Sequence, residues 1–185
     1  MKVWKGKRFS VLVENGIEIA DSSGAVAIVA VDAADRVVLV RQDRPATGGE
    51  LLEIPAGLID PGEEPVGTAR RELREETGLH GGRWRELASF WTSPGFARHR
   101  VTLFSAEGLE EGVPEPDEHE ELEVVRWPLA EVEARLAQIE DAKTLAGLLL
   151  YLRGRAACSF RPPDPPPTPH PRGWGDSRRG LHTDS

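Results

Sequence analysis

Residues 57–79 read "GLIDPGEEPVGTARRELREETGL", and inside this stretch Glu72, Glu75 and Glu76 fall within five positions. Pro65 suits the first turn of a helix and Gly78 suits a C-terminal cap, so the stretch predicts a helix that starts near Pro65 and stops at Gly78. On a wheel of about 100° per residue, Val66, Ala69, Leu73 and Thr77 form one stripe, which is expected to face a core. Arg70, Arg71 and Arg74 fall on one flank of that stripe and the three glutamates on the other. Glu72–Glu75 and Glu72–Glu76 are i,i+3 and i,i+4 pairs of like charge, each costing roughly 0.2–0.5 kcal/mol. Arg71 to Glu75 is the local i,i+4 counter-ion, in the less favourable orientation. Glu76 also lies close to the apolar stripe, where desolvation adds to the cost. A solvated helix laced by ion pairs explains this segregation poorly; a bound cation explains it directly. Three carboxylates with no imidazole or thiolate beside them suit a hard cation, Mg²⁺ or Mn²⁺, better than zinc.

Upstream of this helix the chain reads as strands. "RFSVLVENGIEI" (8–19) carries a turn at Asn15-Gly16, and "AVAIVAV" (25–31) and "RVVLVRQ" (36–42) flank the turn-like "DAAD". Their near-continuous apolar runs predict strands covered on both faces. "ELLEIPAG" (50–57) reads as one short strand leading into the Pro/Gly-punctuated loop. Downstream, "WRELASFWTSPG" (84–95) and "RHRVTLFSAEG" (98–108) read as strands, and "WPLAEVEARLAQ" (127–138) and "DAKTLAGLLLYLRG" (141–154) as helices. In the last of these Leu145, Leu148, Leu149 and Leu152 are expected on one face. Residues 107–123 hold nine acids and no Lys or Arg, a pattern expected of a solvated or metal-facing loop.

The whole chain has 185 residues, 29% charged and 39% hydrophobic, with a net charge of −8. These values fit a globular domain and argue against broad binding to nucleic acid or anionic lipid, while the strands and helices read above make it α/β. Neither a signal-peptide core nor an apolar run of membrane-span length is present in the sequence. A single cysteine, Cys158, excludes an internal disulfide framework, and a reducing cytoplasm is the expected compartment. Seven of the eleven residues 161–171 are proline. Residues 154–185 are therefore expected to be a disordered or extended tail, with residues 1–153 forming the domain.

Gly57, Glu63, Arg71, Glu72, Leu73, Glu75, Glu76, Gly78 and Leu79 match the pattern G-x5-E-x7-R-E-U-x-E-E-x-G-U at every fixed position, U being a bulky aliphatic. This resembles the signature of the Nudix hydrolases. The resemblance implies an α/β/α sandwich with a mixed sheet and hydrolysis of nucleoside diphosphates linked to another group. Divalent ions then neutralise the pyrophosphate and activate water. It makes Glu72, Glu75 and Glu76 metal ligands, with the backbone carbonyl of Ala56 a further one, and has Glu63 brace Arg71. Gly57 and Gly78 are expected to supply backbone conformations that a side chain resists.

Three further features resemble the ADP-ribose pyrophosphatase branch: "VRQDRP" (40–45), "LLEIPAGLIDPGE" (51–63), and Pro94 in "TSPGF". By that likeness Arg44 would contact the diphosphate or terminal ribose with help from Arg41, since planar guanidinium donors match phosphate oxygens. Glu53, Pro94, Phe96 and Arg98 are expected to line the substrate site. A glutamate of the later acidic loop would act as general base, Glu120 first and Glu118 second. The branch also implies a homodimer in which residues 1–45 exchange strands between subunits. The basic "ARHR" (97–100) departs from the acidic stretch that many such members carry and keeps GDP- or UDP-sugars and dinucleotides open as substrates. A non-catalytic nucleotide sensor on the same scaffold is the reading from a different class.

Overall fold

The computed structural model describes residues 1–114 and 122–156. Its centre is the pair of apolar runs. β4 (Ala25–Asp32) is buried along its whole length, and β5 (Arg36–Arg44) is buried from Val37 to Val40. They belong to a mixed sheet completed by β6 (Gly49–Glu53), β7 (Ala56–Leu58), β8 (His80–Trp91), β10 (Arg100–Glu110) and β11 (Leu122–Pro128). The sheet order is β11-β5-β4-β10-β8, with β6 beside β5 and β7 beside β4. β10 runs parallel to β4, and the other pairings in this sheet are antiparallel.

Helix α1 (Pro65–Thr77) covers one face, where Ala69 and Leu73 pack with Val26, Ile28, Val38 and Phe104. Helix α3 (Ala142–Ala156) covers the other, packing Leu148 and Tyr151 with Val29, Leu39, Ile54 and Leu103; a short helix, α2 (Val132–Arg135), precedes it. The layers are therefore α/β/α, as expected from strands apolar on both faces.

The opening for a site comes from a splay within the sheet. β5 pairs with β4 at Val37 and Val38, whereas beside Ala25–Ala27 the neighbour of β4 is β7. β5 runs on past that point, with β6 and β11 on its two sides. At this end the N-terminal sheet joins. It consists of β1 (Lys2–Lys5), β2 (Ser10–Glu14), β3 (Ile17–Asp21) and the short β9 (Ala97–Arg98), in that order. The β2–β3 hairpin turns at Asn15-Gly16, where φ is 53° and 80°, the left-handed pair that Asn-Gly accommodates.

Several expectations change. Val66 is 38% exposed, because the buried arc of α1 runs through Thr68, Ala69, Leu73, Glu76 and Thr77 and leaves Val66 at its margin. In α3 the buried face is Thr144, Gly147, Leu148 and Tyr151, which turns Leu149 to solvent. "ELLEIPAG" forms two strands broken at Ile54-Pro55, and the predicted helix at 127–138 is a strand end followed by short helical turns. The acidic stretch begins within β10, where Glu107 accepts a hydrogen bond from the Tyr151 hydroxyl at 2.7 Å, and ends within β11. Glu118 and Glu120, and residues 157–185 of the tail, lie outside the described residues.

Candidate active site

The local design of α1 follows its sequence. Pro65 opens the helix, Glu64 precedes it in extended conformation, and Gly78 closes it at φ 76° with its N–H donating to the Arg74 carbonyl. The loop before the helix is tied to it through Arg71. Its Nε and Nη2 donate to the two carboxylate oxygens of Glu63 at 3.2 and 3.1 Å, and its Nη1 lies 2.9 Å from both Glu72 Oε1 and Glu75 Oε2. Hydrogen bonds from Arg71 and from the Thr68 hydroxyl hold the Glu63 carboxyl down at about 2. The same Glu63 hydrogen bond, outweighing burial and joined by Glu72 and Glu75, pushes Arg71 further above its usual value.

Glu76 ties the helix to the strand before it. It is buried, and its Oε2 accepts the Ala56 N–H at 3.2 Å, so one end of β7 is fixed to the helix. Gly57 has a different reason from the one expected. Its φ lies outside the left-handed range, and what it supplies is room: an added Cβ would stand 2.0 Å from Glu72 Cδ. Glu72 and Glu75 share Arg71 while Glu76 holds the Ala56 N–H, so α1 and β7 meet at one corner.

A second wall faces this corner. Arg44 Nε and Nη2 donate to Glu53 Oε1 and Oε2 at 2.7 and 2.9 Å, a bidentate pair. Lys143 Nζ reaches the same Glu53 carboxylate and also Asp141 Oδ2 at 3.0 Å. Burial works to raise the Glu53 carboxyl, but the Arg44 hydrogen bond and the Lys143 charge outweigh it and hold Glu53 below the usual carboxylate range. The Glu53 hydrogen bond likewise raises Arg44.

Between the walls lies a cleft of about 800 Å³. Glu72, Glu75 and Arg71 line its acidic side, Arg44 and Lys143 its basic side, and Phe9, Phe96 and His99 its N-terminal end. Burial, with a smaller effect of the Lys143 charge, pulls the His99 imidazole below its ordinary value, and its Nδ1 lies 3.1 Å from the Thr92 hydroxyl.

Of the residues expected in the substrate site, Arg44 and Phe96 line the cleft and Glu53 lies beneath Arg44. Arg41 pairs with Glu123 at 2.9 Å and faces a separate, smaller cavity. Arg98 bridges Glu14 and Asp21 at 3.0 and 3.5 Å, tying β9 to the N-terminal sheet. Pro94 sits in the turn that presents Phe96, whose N–H donates to the Ser93 carbonyl. Arg8 and Lys143 line the cleft without having been singled out from sequence. Lys143 carried one readable signal, the "DAKT" in which an acid stands three residues before a threonine at a helix start.

The donors suit a hard divalent ion: carboxylate and carbonyl oxygens, with glycine space beside Glu72. Among the described residues no group of three His, Cys, Asp or Glu side chains is already set as a cation site. The Arg71 guanidinium stands between Glu72 and Glu75 instead.

A NUDIX domain model matches residues 22–148. The chain is 42% identical over 138 residues to an ADP-ribose pyrophosphatase of Mycobacterium tuberculosis, covering 71% of this chain and 66% of that protein. It is 41% identical over 146 residues to an ADP-ribose pyrophosphatase of Bacillus subtilis, covering 76% and 77%. Among solved structures, that of an ADP compounds hydrolase superposes with a TM-score of 0.69 at 29% identity, covering 84% of this chain and 92% of the other.

Proposed function

The chain belongs to the Nudix family, and from that premise we propose that it hydrolyses the pyrophosphate bond of ADP-ribose, giving AMP and ribose 5-phosphate. The observation that carries the reading is the cleft itself, where an acidic helix face stands opposite Arg44 and Lys143. A diphosphate ester needs both walls. The Arg44 guanidinium orients its oxygens on one side, and the carboxylates Glu72, Glu75 and Glu76 with the Ala56 carbonyl would hold Mg²⁺ or Mn²⁺ on the other. The bound ion supplies neutralisation of the diphosphate charge and a more acidic water. Arg44, with two nitrogens committed to Glu53, has Nη1 left to meet a phosphate oxygen. Water attacks phosphorus, the bond to the bridging oxygen breaks, and a carboxylate accepts the proton; Glu120, or Glu118, is the residue we assign to that transfer. Phe9 and Phe96, 45% and 64% exposed at the cleft's end, suit stacking on the base.

We place a second copy of the chain against the N-terminal sheet, where Val3, Trp4 and Ile17 leave 49%, 51% and 59% of their surface exposed. Light scattering on the purified protein tests this, and a monomer at micromolar concentration rejects it. A GDP- or UDP-sugar substrate keeps the same walls and changes the group recognised at the mouth. Purified protein incubated with ADP-ribose and Mg²⁺, beside a panel of nucleoside diphosphate derivatives, is expected to release AMP fastest from ADP-ribose. Glu76→Gln, which keeps an acceptor for the Ala56 N–H while removing the charge, is the control; no AMP above it rejects the substrate.

A further inference from the structure

The acidic helix and Arg44 are held in register by an element on the opposite face of the sheet. Asp141 caps α3, its Oδ2 accepting the Thr144 N–H at 2.8 Å and the Thr144 hydroxyl at 2.6 Å. The same hydroxyl oxygen accepts the Ile54 N–H at 2.9 Å, and Thr144 is fully buried. One residue earlier, Lys143 reaches the Glu53 carboxylate, which is 2% exposed and already grips Arg44. The contacts land on the last residue of β6 and on Ile54 of the two-residue joint that leads to Ala56 in β7. On its other side that segment is tied by the Ala56 N–H to Glu76 and by the Pro55 carbonyl, which accepts the Ile28 N–H at 2.9 Å.

We propose that Lys143 is a positioning residue of the hydrolytic site. By sharing the Glu53 carboxylate with Arg44, it sets where the Arg44 guanidinium faces the substrate diphosphate. The inference rests on the pyrophosphatase reading above and deepens it. The physical reason is competition of two cations for one buried carboxylate. Arg44 alone would form a closed neutral pair with Glu53, the buried anion competing with substrate for the same guanidinium. With Lys143 on Oε2, part of that anion is already satisfied, and Arg44 is left more available to a phosphate oxygen. Asp141 limits the effect by drawing on the Lys143 charge, and it also fixes the ammonium in place. A carboxylate shared by two cations is less tightly committed to either; with Asp141 the four groups balance in charge, so Lys143 acts on where Arg44 points and how readily it leaves Glu53.

The test compares wild type, Lys143→Met and Lys143→Arg on whichever nucleoside diphosphate derivative the wild type hydrolyses, so a wrong substrate and a wrong role for Lys143 give different results. For Lys143→Met we expect KM to rise about tenfold, the lower end of what lost supporting contacts cost, with kcat within about threefold of wild type. Lys143→Arg, which keeps a cation on Glu53, is expected to recover most of the loss. Titration of ADP-ribose into metal-free protein, followed by calorimetry, gives a readout without turnover: the Met variant is expected to bind about tenfold more weakly. An unchanged KM and affinity in the Met variant overturns the proposal. So does an Arg variant as impaired as the Met variant while both melt with the wild type.

Discussion

Gly57 separates a stability effect from a functional one, and Gly57→Ala is expected to give a small first and a large second. The added Cβ would stand 2.0 Å from Glu72 Cδ and 2.2 and 2.4 Å from its two oxygens. Carbon atoms settle at about 3.5–4.0 Å, so the carboxylate must retreat by roughly 1.5 Å. The strand accepts alanine without backbone strain, because Gly57 lies in β7 paired with Val26 and its φ is outside the left-handed range. What moves is the far end of a flexible side chain, at a cost of about 0.5–1.5 kcal/mol if the new rotamer is imperfect. For a domain of this size that lowers Tm by roughly 1–6 °C. The functional cost is larger, since a displacement of about 1 Å at a reacting centre can lose on the order of a hundredfold. We therefore expect kcat/KM with ADP-ribose and Mg²⁺ to fall about a hundredfold while circular dichroism reports a cooperative transition near the wild-type Tm. Wild-type turnover in this variant would show that Glu72 has no part in the site. A Tm lowered by more than about 10 °C would show that Gly57 serves the fold instead.

Three other changes check separate parts of the structure. Glu63 has a folded pKa of about 2 against an ordinary 4.5, so its contribution with Arg71 is complete above about pH 4.5 and is lost as pH falls toward 2. Urea midpoints measured across that range should fall more steeply for wild type than for Glu63→Gln, and parallel curves would refute the pairing. At the α3–sheet contact, a Cβ on Gly147 would meet Ile54 Cδ1 at 3.0 Å and Val29 Cγ2 at 3.1 Å. Gly147→Leu should therefore cost roughly 1–3 kcal/mol by overpacking, seen as a Tm several degrees lower; an unchanged Tm would mean the two faces are not close-packed there. Glu120→Gln is expected to lower kcat by about 10²–10⁴ with KM near wild type, as for a lost general base. A larger loss in Glu118→Gln would transfer the role.

The acidic wall was legible because everything that builds it is local. Pro65, the three glutamates and the Gly78 cap belong to one helix, and helical periodicity alone brings the glutamates to one flank, where Glu72 and Glu75 line the cleft and Glu76 holds Ala56. Asn15-Gly16 and the doubly buried β4 were legible for the same reason, since a turn and a run of apolar residues declare themselves over a few positions. Where periodicity misled, tertiary packing chose the arc: Val66 and Leu149 satisfy a helical stripe yet face solvent.

The basic wall was legible only in part, and its geometry shows why. Arg44 and Glu53 stand nine positions apart on neighbouring strands, and Lys143 joins them from ninety positions away. No periodicity links such residues; the α/β/α packing does. The same packing withdraws residues that looked available. Arg98 is spent on Glu14 and Asp21, and Arg100 donates to the Ser89 hydroxyl and lies over Trp91 at 5.4 Å, so the basic "ARHR" supplies the cleft with His99 rather than with an arginine. An extra phosphate at that end would meet Arg8 and an imidazole whose pKa burial has lowered, not the arginines of "ARHR". The cleft thus carries Arg44 and Lys143 on one side, Arg71 among the acids of the helix, and Arg8 beside Phe9 at the N-terminal end. That arrangement suits a diphosphate held between Arg44 and the acidic helix, with the aromatic rings of Phe9 and Phe96 left for the flat group at the other end.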